Sequence, residues 1–152
     1  SINFGIMKWF MLFFTFFVGF GSAFTQSAYF NHPDYGKVYT KTQRDPSFSR
    51  VNGDANLQTY FSDYFEKNRL IPPGLKTMVI LTLLITKKGE AYYTKAICTD
   101  PAVDLNALKL QKAIELMNSW IPAIESDDDV HFQVMLSLKF DQNLVTVRRM
   151  GF

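Results

Sequence analysis

Two histidines and a run of aspartates are the residues of this chain whose types could do chemistry. His131 follows Asp127, Asp128 and Asp129 closely, and a histidine beside carboxylates can act as a general base or hold a metal ion. The aspartates are consecutive rather than alternately spaced, and no nucleophile, general acid or glycine-rich loop completes the set. His32 lies in a distant polar stretch. The sequence therefore predicts a solvated acidic loop, no enzyme, no metal site and no cofactor.

The cysteine count and the charge exclude two further classes of protein: those built on disulfides or Cys/His metal sites, and those that bind nucleic acid. Cys98 is the single cysteine, so it forms no intramolecular disulfide and belongs to no Cys/His pair at metal-ligand spacing. The net charge is +2, and the basic residues are scattered rather than aligned in a stripe that could follow a phosphate backbone. We therefore expect no nucleic-acid partner.

The N-terminus has the pattern of an export signal. Lys8 precedes an apolar run, and the small residues Gly21 and Ala23 follow it as a signal peptidase site requires. The apolar stretch from Trp9 to Phe24 is longer than a typical signal core and shorter than a full membrane span. A cleaved signal peptide predicts a periplasmic protein. The alternative is an uncleaved anchor in the inner membrane, with the rest of the chain facing the periplasm.

Three segments are predicted along the chain. Residues 1–25 form the N-terminal extension and signal peptide, or signal anchor. Residues 26–53 are polar, carry turn signals and show no apolar period, which is typical of a linker. Residues 54–152 contain the foldable sequence, enough for one small domain.

Helical periodicity occurs twice in the third segment. The first set is capped by Asp54 or Asn56 and ends before Pro72. The second set starts after Thr99-Asp100-Pro101, with Asp104 as an alternative cap, and ends before Pro122. Each set places apolar side chains on one helical face. The first set is Leu57, Tyr60, Phe61, Tyr64 and Phe65; the second is Leu110, Ala113, Ile114, Met117 and Ile121.

Three strands are predicted, with a short fourth. Residues 78–86 are apolar on both faces, so this strand belongs in the middle of a sheet. A turn at Gly89 joins it to residues 91–97. Residues 130–140 alternate strictly between apolar and polar, and residues 144–147 form the short fourth strand.

The resulting fold class is α+β in two layers, ordered helix, strand, strand, helix, strand. A right-handed crossover makes the second and third strands parallel, so both flank the first strand antiparallel to it. The predicted sheet has the order second, first, third, with the helices on one face and the third strand at an edge.

This order of elements and its landmark residues resemble the TonB C-terminal domain family. The features that carry the resemblance are the aromatic first helix leading to Ile71-Pro72, the apolar strand ending at Lys88-Gly89, the exit Trp120-Ile121-Pro122, and the final strand ending in Leu138-Lys139-Phe140. The resemblance implies a periplasmic domain that grips an extended segment of a protein partner, in the best-known members a TonB-dependent outer-membrane transporter. The spacer here is short and holds only two prolines, unlike the long proline-rich spacer of energy-transducing members.

The third strand is the predicted binding edge, because an edge offers unpaired N–H and C=O groups to an added strand. Its solvent-facing side chains are His131, Gln133, Met135, Ser137 and Lys139. Residues 144–147 could instead fold back and cover this edge. Two alternatives stay open: an anchored, short energy transducer, and a domain that self-associates as a homodimer. A membrane is a partner only through an uncleaved N-terminus.

Overall fold

A computed structural model describes residues 26–48, 53–117 and 120–151. The predicted signal segment, residues 1–25, lies outside the described residues, as do Asn118 and Ser119 near the predicted helix exit. Within the described ranges, no helix is long and apolar enough to cross a membrane.

The described chain is α+β, with two α-helices, a short 3-10 helix and nine strands. In chain order the elements are β1 (Ala28–His32), β2 (Gly36–Lys41), β3 (Ser47–Phe48), α1 (Gly53–Asn68), β4 (Lys76–Ile85), β5 (Ala91–Cys98), the 3-10 helix (Leu105–Leu108), α2 (Leu110–Glu115), β6 (Trp120–Ile121), β7 (Ala123–Glu125), β8 (Asp128–Asp141) and β9 (Leu144–Arg149).

Seven of these strands form one mixed sheet, in which β1, β2, β8, β4 and β5 follow one another in space. Strands β7 and β9 also pair with β8, and β3 pairs with β6 in a separate small sheet. The central order β5, β4, β8 is the predicted order second, first, third, with antiparallel neighbours. The predicted sheet of three strands is too small, because the described sheet has seven: β1, β2 and β7 extend it in addition to β9, the short fourth strand.

Helix α1 forms because its apolar residues recur on one face. Leu57, Phe61 and Phe65 are fully buried, and Tyr64 is nearly so. They join the inward side chains of β4 and β8 and the apolar residues of α2 in one core. Both helices therefore cover the same face of the sheet. Among the described residues no helix covers the opposite face, which we call the open face.

The interpretation of residues 26–53 as a linker is corrected by the structure. Residues 28–48 of that stretch form β1, β2 and β3, and β2 pairs with β8 in parallel through Val38 and Tyr39. Val38 is completely buried. The stretch lacks a visible period because β1 is almost entirely exposed and β2 buries a single apolar side chain fully. The folded domain therefore begins upstream of residue 54.

The second helical region is shorter than its periodicity predicted. Asp104 caps the 3-10 helix by accepting a hydrogen bond from the Asn106 backbone, and Lys109 then adopts a left-handed conformation. This break leaves α2 only six residues long. Met117 is still buried, but Ile121 belongs to β6 rather than to the helix.

Candidate functional site

The strand predicted as the binding edge is β8, and it is not an edge. On one side it pairs with β4 from Phe132 to Asp141. On the other side it pairs with β9 from Leu136 to Asp141 and with β2 at His131 and Phe132. Its backbone is therefore occupied on both sides over most of its length, and the assignment of this strand as a free edge is wrong.

The short fourth strand is the reason that β8 is covered. Gln142 has a positive φ of 59° in the turn that reverses the chain, and β9 then runs back along β8. The N–H of Met150 continues the pairing by donating to the Met135 carbonyl at 2.9 Å. The structure therefore has the predicted alternative arrangement, in which residues 144–147 fold back onto the edge of β8.

The five side chains predicted for that edge all lie on the open face. Phe132, Val134, Leu136, Leu138 and Phe140 point into the core, so the odd-numbered residues between them point away. His131, Gln133, Met135 and Ser137 are half-buried, whereas Lys139 is exposed. They share one face, as the alternation predicted, but they do not line a free strand edge.

His131 is held by backbone and ring contacts rather than by carboxylates. Its Nδ1 accepts a hydrogen bond from the Lys87 backbone N–H at 3.1 Å, and the Tyr35 ring meets it edge-on at 5.4 Å. Burial, with a smaller effect from the Lys87 charge, lowers its pKa. Asp127 and Asp128 lie exposed at the β7–β8 turn. No cluster of metal-ligating side chains occurs among residues 26–48, 53–117 and 120–151.

The His131 contact predicts that the domain loses stability in mild acid. Because the folded-state pKa lies below the ordinary value of 6.5, the unfolded chain binds this proton more readily. We expect the urea midpoint to fall between about pH 7.5 and about pH 5.5. In His131→Asn, whose amide oxygen can replace Nδ1 as acceptor, this part of the pH dependence should disappear. An unchanged dependence in the variant would rule out His131 as its source.

The outer side of β9 is partly closed by a side chain of α1. The Gln58 amide nitrogen donates to the Val145 carbonyl at 2.8 Å, and the Gln58 amide oxygen accepts from the Val147 N–H at 2.7 Å. A neighbouring strand would bond the same two backbone groups. Strand β9 is therefore a poor candidate for adding another strand.

Strand β5 is the long terminal strand of the sheet, and no strand of the described part of the chain pairs with its outer side. The Thr86 N–H donates to the Glu90 carbonyl at 2.9 Å, so these two residues form a hydrogen-bonded pair at the start of the β4–β5 ladder. Non-hydrogen-bonded and hydrogen-bonded pairs alternate from there along the two strands. In that alternation, Tyr93 and Ala96, opposite Leu83 and Leu81, turn their backbone N–H groups outward.

A bulge interrupts β5 at Thr94. The pairing shifts by one residue where Thr82 faces Lys95 and Leu83 faces Tyr93. A bulge twists an edge strand locally and limits the ways in which another chain can pair with it. The edge is thus divided into two short segments on either side of Thr94.

A cleft of about 640 Å³ lies beside this edge, between β5 and α2. Four apolar or aromatic residues contribute to its lining, and five polar or charged residues complete it. The first group is Tyr93, Ala96, Leu105 and Leu110; the second is Asn106, Lys109, Gln111, Lys112 and Glu115.

Two tyrosines of α1 fix the helical wall of the cleft. The Tyr64 hydroxyl donates to the Lys109 carbonyl at 2.9 Å, and the Tyr60 hydroxyl donates to the Ala113 carbonyl. Burial, together with the nearby Tyr64, raises the pKa of Tyr60 to about 12, so the hydroxyl remains a donor at neutral pH. These bonds tie the residue before α2 and the fourth residue of α2 to helix α1.

The turn that leads into β5 is fixed by Gly89. Its φ is +81°, and a Cβ at this position would clash with the Trp120 carbonyl oxygen. Trp120 itself is buried against Phe48 at a ring distance of 5.3 Å. The predicted turn at Gly89 is confirmed, and Trp120 belongs to the core.

Sequence reasoning missed the β5 edge as a site. The residues that mark it, Tyr93, Ala96 and the lysines of α2, are ordinary strand and helix residues at unremarkable spacing. The available signal was the predicted strand order, since it leaves the second strand at an edge as well as the third.

Comparisons with protein-family models, with curated proteins and with solved structures find no match to this chain. The resemblance to the TonB C-terminal domain family therefore stays a prediction made from the sequence.

Proposed function

We propose that this protein is a binding module, not an enzyme, that takes up an extended segment of another protein by adding it as a strand to the outer side of β5. The observation that carries the proposal is the combination of a terminal strand with a partly apolar cleft along its outer side. Backbone groups of the strand would give affinity, and the cleft would select side chains.

The geometry of an added strand supports this location. Alternate side chains of the added segment would point towards the helices and enter the cleft near Tyr93 and Ala96. The intervening side chains would lie beside Tyr92 and Ile97 on the open face, both of which are about half exposed. An extended peptide would therefore contact the domain on both sides of its backbone.

The proposed partner is a segment of an exported or outer-membrane protein, in keeping with the export signal predicted at the N-terminus and with the resemblance to the TonB C-terminal domain family. A TonB-dependent transporter is one such partner. The proposal places the binding edge on β5 rather than on β8, where the sequence prediction put it.

The other terminal strand favours a second candidate, self-association. Strand β1 lies at the opposite end of the sheet, and it exposes 53% of Tyr29 and 37% of Phe30. Two copies could pair through this edge. Sedimentation at increasing concentration would show a dimer, and Asn31→Pro should abolish it if β1 is the contact.

Ala96→Pro tests the proposed site. Proline removes the outward N–H of Ala96 without removing a bond to β4, so we expect peptide binding to fall about tenfold or more while the fold is retained. Peptides selected with the full chain from a displayed random library serve as the probe, and affinity is measured by fluorescence anisotropy.

Asn31→Pro is the control, because it introduces a proline into the other terminal strand. It should leave peptide affinity unchanged. If Ala96→Pro binds as the parent protein does, or if both variants lose binding equally, the β5 edge is not the site.

A further inference from the structure

The open face of the sheet holds a compact group of exposed apolar side chains. Met78 and Ile97 are 47% and 52% exposed, and Ile80, which faces Ile97 across the β4–β5 ladder, is half-buried. A shallow depression of about 300 Å³ next to Met78 continues the group towards β9.

Cations surround this apolar group. Lys95 lies on β5, Lys139 on β8 and Arg148 on β9, and all three are exposed on the open face. Lys76 also lies there, but it stands opposite Asp141 in the β4–β8 ladder. Counting these five residues, four positive charges against one negative charge give the patch a net charge of +3.

Two further carboxylates flank β5, since Asp100 follows its last residue and Glu90 precedes its first. Glu90 accepts a hydrogen bond from the Tyr92 hydroxyl at 3.4 Å, and Lys87 and Lys88 belong to the same turn. Glu90 is accompanied by two lysines, so it does not offset the cations around Met78. Asp100, whose Oδ1 accepts a hydrogen bond from the Ala102 N–H at 3.0 Å, leaves an excess of positive charge on the patch.

We propose that the open face binds the surface of a membrane that contains anionic lipids. Lys95, Lys139 and Arg148 would meet lipid phosphate groups, and Met78 and Ile97 would reach the boundary of the acyl chains. The like charge of two open faces opposes pairing with a second copy.

The position of the apolar N-terminal run favours a membrane over an acidic protein as the partner. Only three residues separate Phe24, at the end of that run, from Ala28, at the start of β1. Three residues span at most about 11 Å, so an anchored chain would hold the domain at the headgroup layer. A cleaved chain would be released at the same membrane surface.

The test uses the full chain carrying an environment-sensitive fluorophore. The label is attached at Ile97→Cys in a Cys98→Ser background, and the protein is reconstituted in vesicles of phosphatidylcholine with or without about one-quarter phosphatidylglycerol. The control label is placed at Lys112→Cys, on the helical side. Both proteins carry the same N-terminal segment, so only the position of the label differs.

We expect a blue shift and increased emission at position 97 only with phosphatidylglycerol, reversed by about 1 M salt, and no change at position 112. Neutralising Lys95, Lys139 and Arg148 to Gln should abolish the shift. The same change at Lys67, Lys109 and Lys112 should not. If the emission of the label at position 97 does not change with phosphatidylglycerol, or if both labels respond equally, the proposal is overturned. An acidic protein surface would then be the partner of this face.

Discussion

Replacing Phe140 by alanine should lower the free energy of unfolding by about 3–5 kcal/mol, the largest effect that we expect from a single substitution here. The Phe140 side chain is completely buried, and its ring meets Phe65 edge-on at 5.3 Å. It lies where β8 is flanked by both β4 and β9, opposite Thr77 and Val145. Because strands close this position on both sides, the surrounding structure cannot collapse into the cavity.

Urea denaturation followed by circular dichroism measures this loss. Phe30→Ala is the matched control, since Phe30 is a partly exposed phenylalanine on β1, and its effect should stay below about 1 kcal/mol. Similar values for the two variants would contradict the position of the core described above.

Ser137→Pro should have the second largest effect, a loss of about 2–4 kcal/mol. Ser137 faces Ile80 on β4 and Arg148 on β9, so the strand is paired on both sides at this residue. Proline would remove a ladder hydrogen bond, and its ring would push β9 away. In the same denaturation experiment, Ala96→Pro on the free side of β5 should cost less than about 1 kcal/mol.

Comparing the stability of these two proline variants tests whether the edge strand is β8, as the sequence predicted, or β5, as in the structure. If β8 were a free edge, Ser137→Pro would be tolerated. A domain that is destabilised by Ala96→Pro and not by Ser137→Pro would have the opposite arrangement of strands.

Strong periodicity made the central part of the fold predictable. The face of α1 that carries Leu57, Phe61 and Phe65 and the alternation of β8 are long patterns whose buried side chains fill one core. The apolar character of β4 on both faces correctly placed it in the middle, since Thr82 and Leu84 are buried on its open side. The sequence predicts these elements because the spacing of their buried apolar residues can be read from it.

The remaining strands depend on contacts that produce no periodic apolar pattern in the sequence. The β1–β2 hairpin is attached to the sheet mainly through Val38, and one buried residue creates no period. Whether β9 covers β8 depends on the backbone conformation at Gln142. The candidate site followed from these details, because the free edge could be located only once all neighbours of β8 were known.

Hydrogen exchange measured by NMR with and without a selected peptide tests the central claim most directly. The outward amides of Tyr93 and Ala96 should exchange quickly in the free protein and at least about tenfold more slowly in the complex. The amides of β8 from Leu136 to Asp141, which are already paired on both sides, should not change. New protection along β8, or none along β5, would contradict the assignment of β5 as the strand that receives the partner.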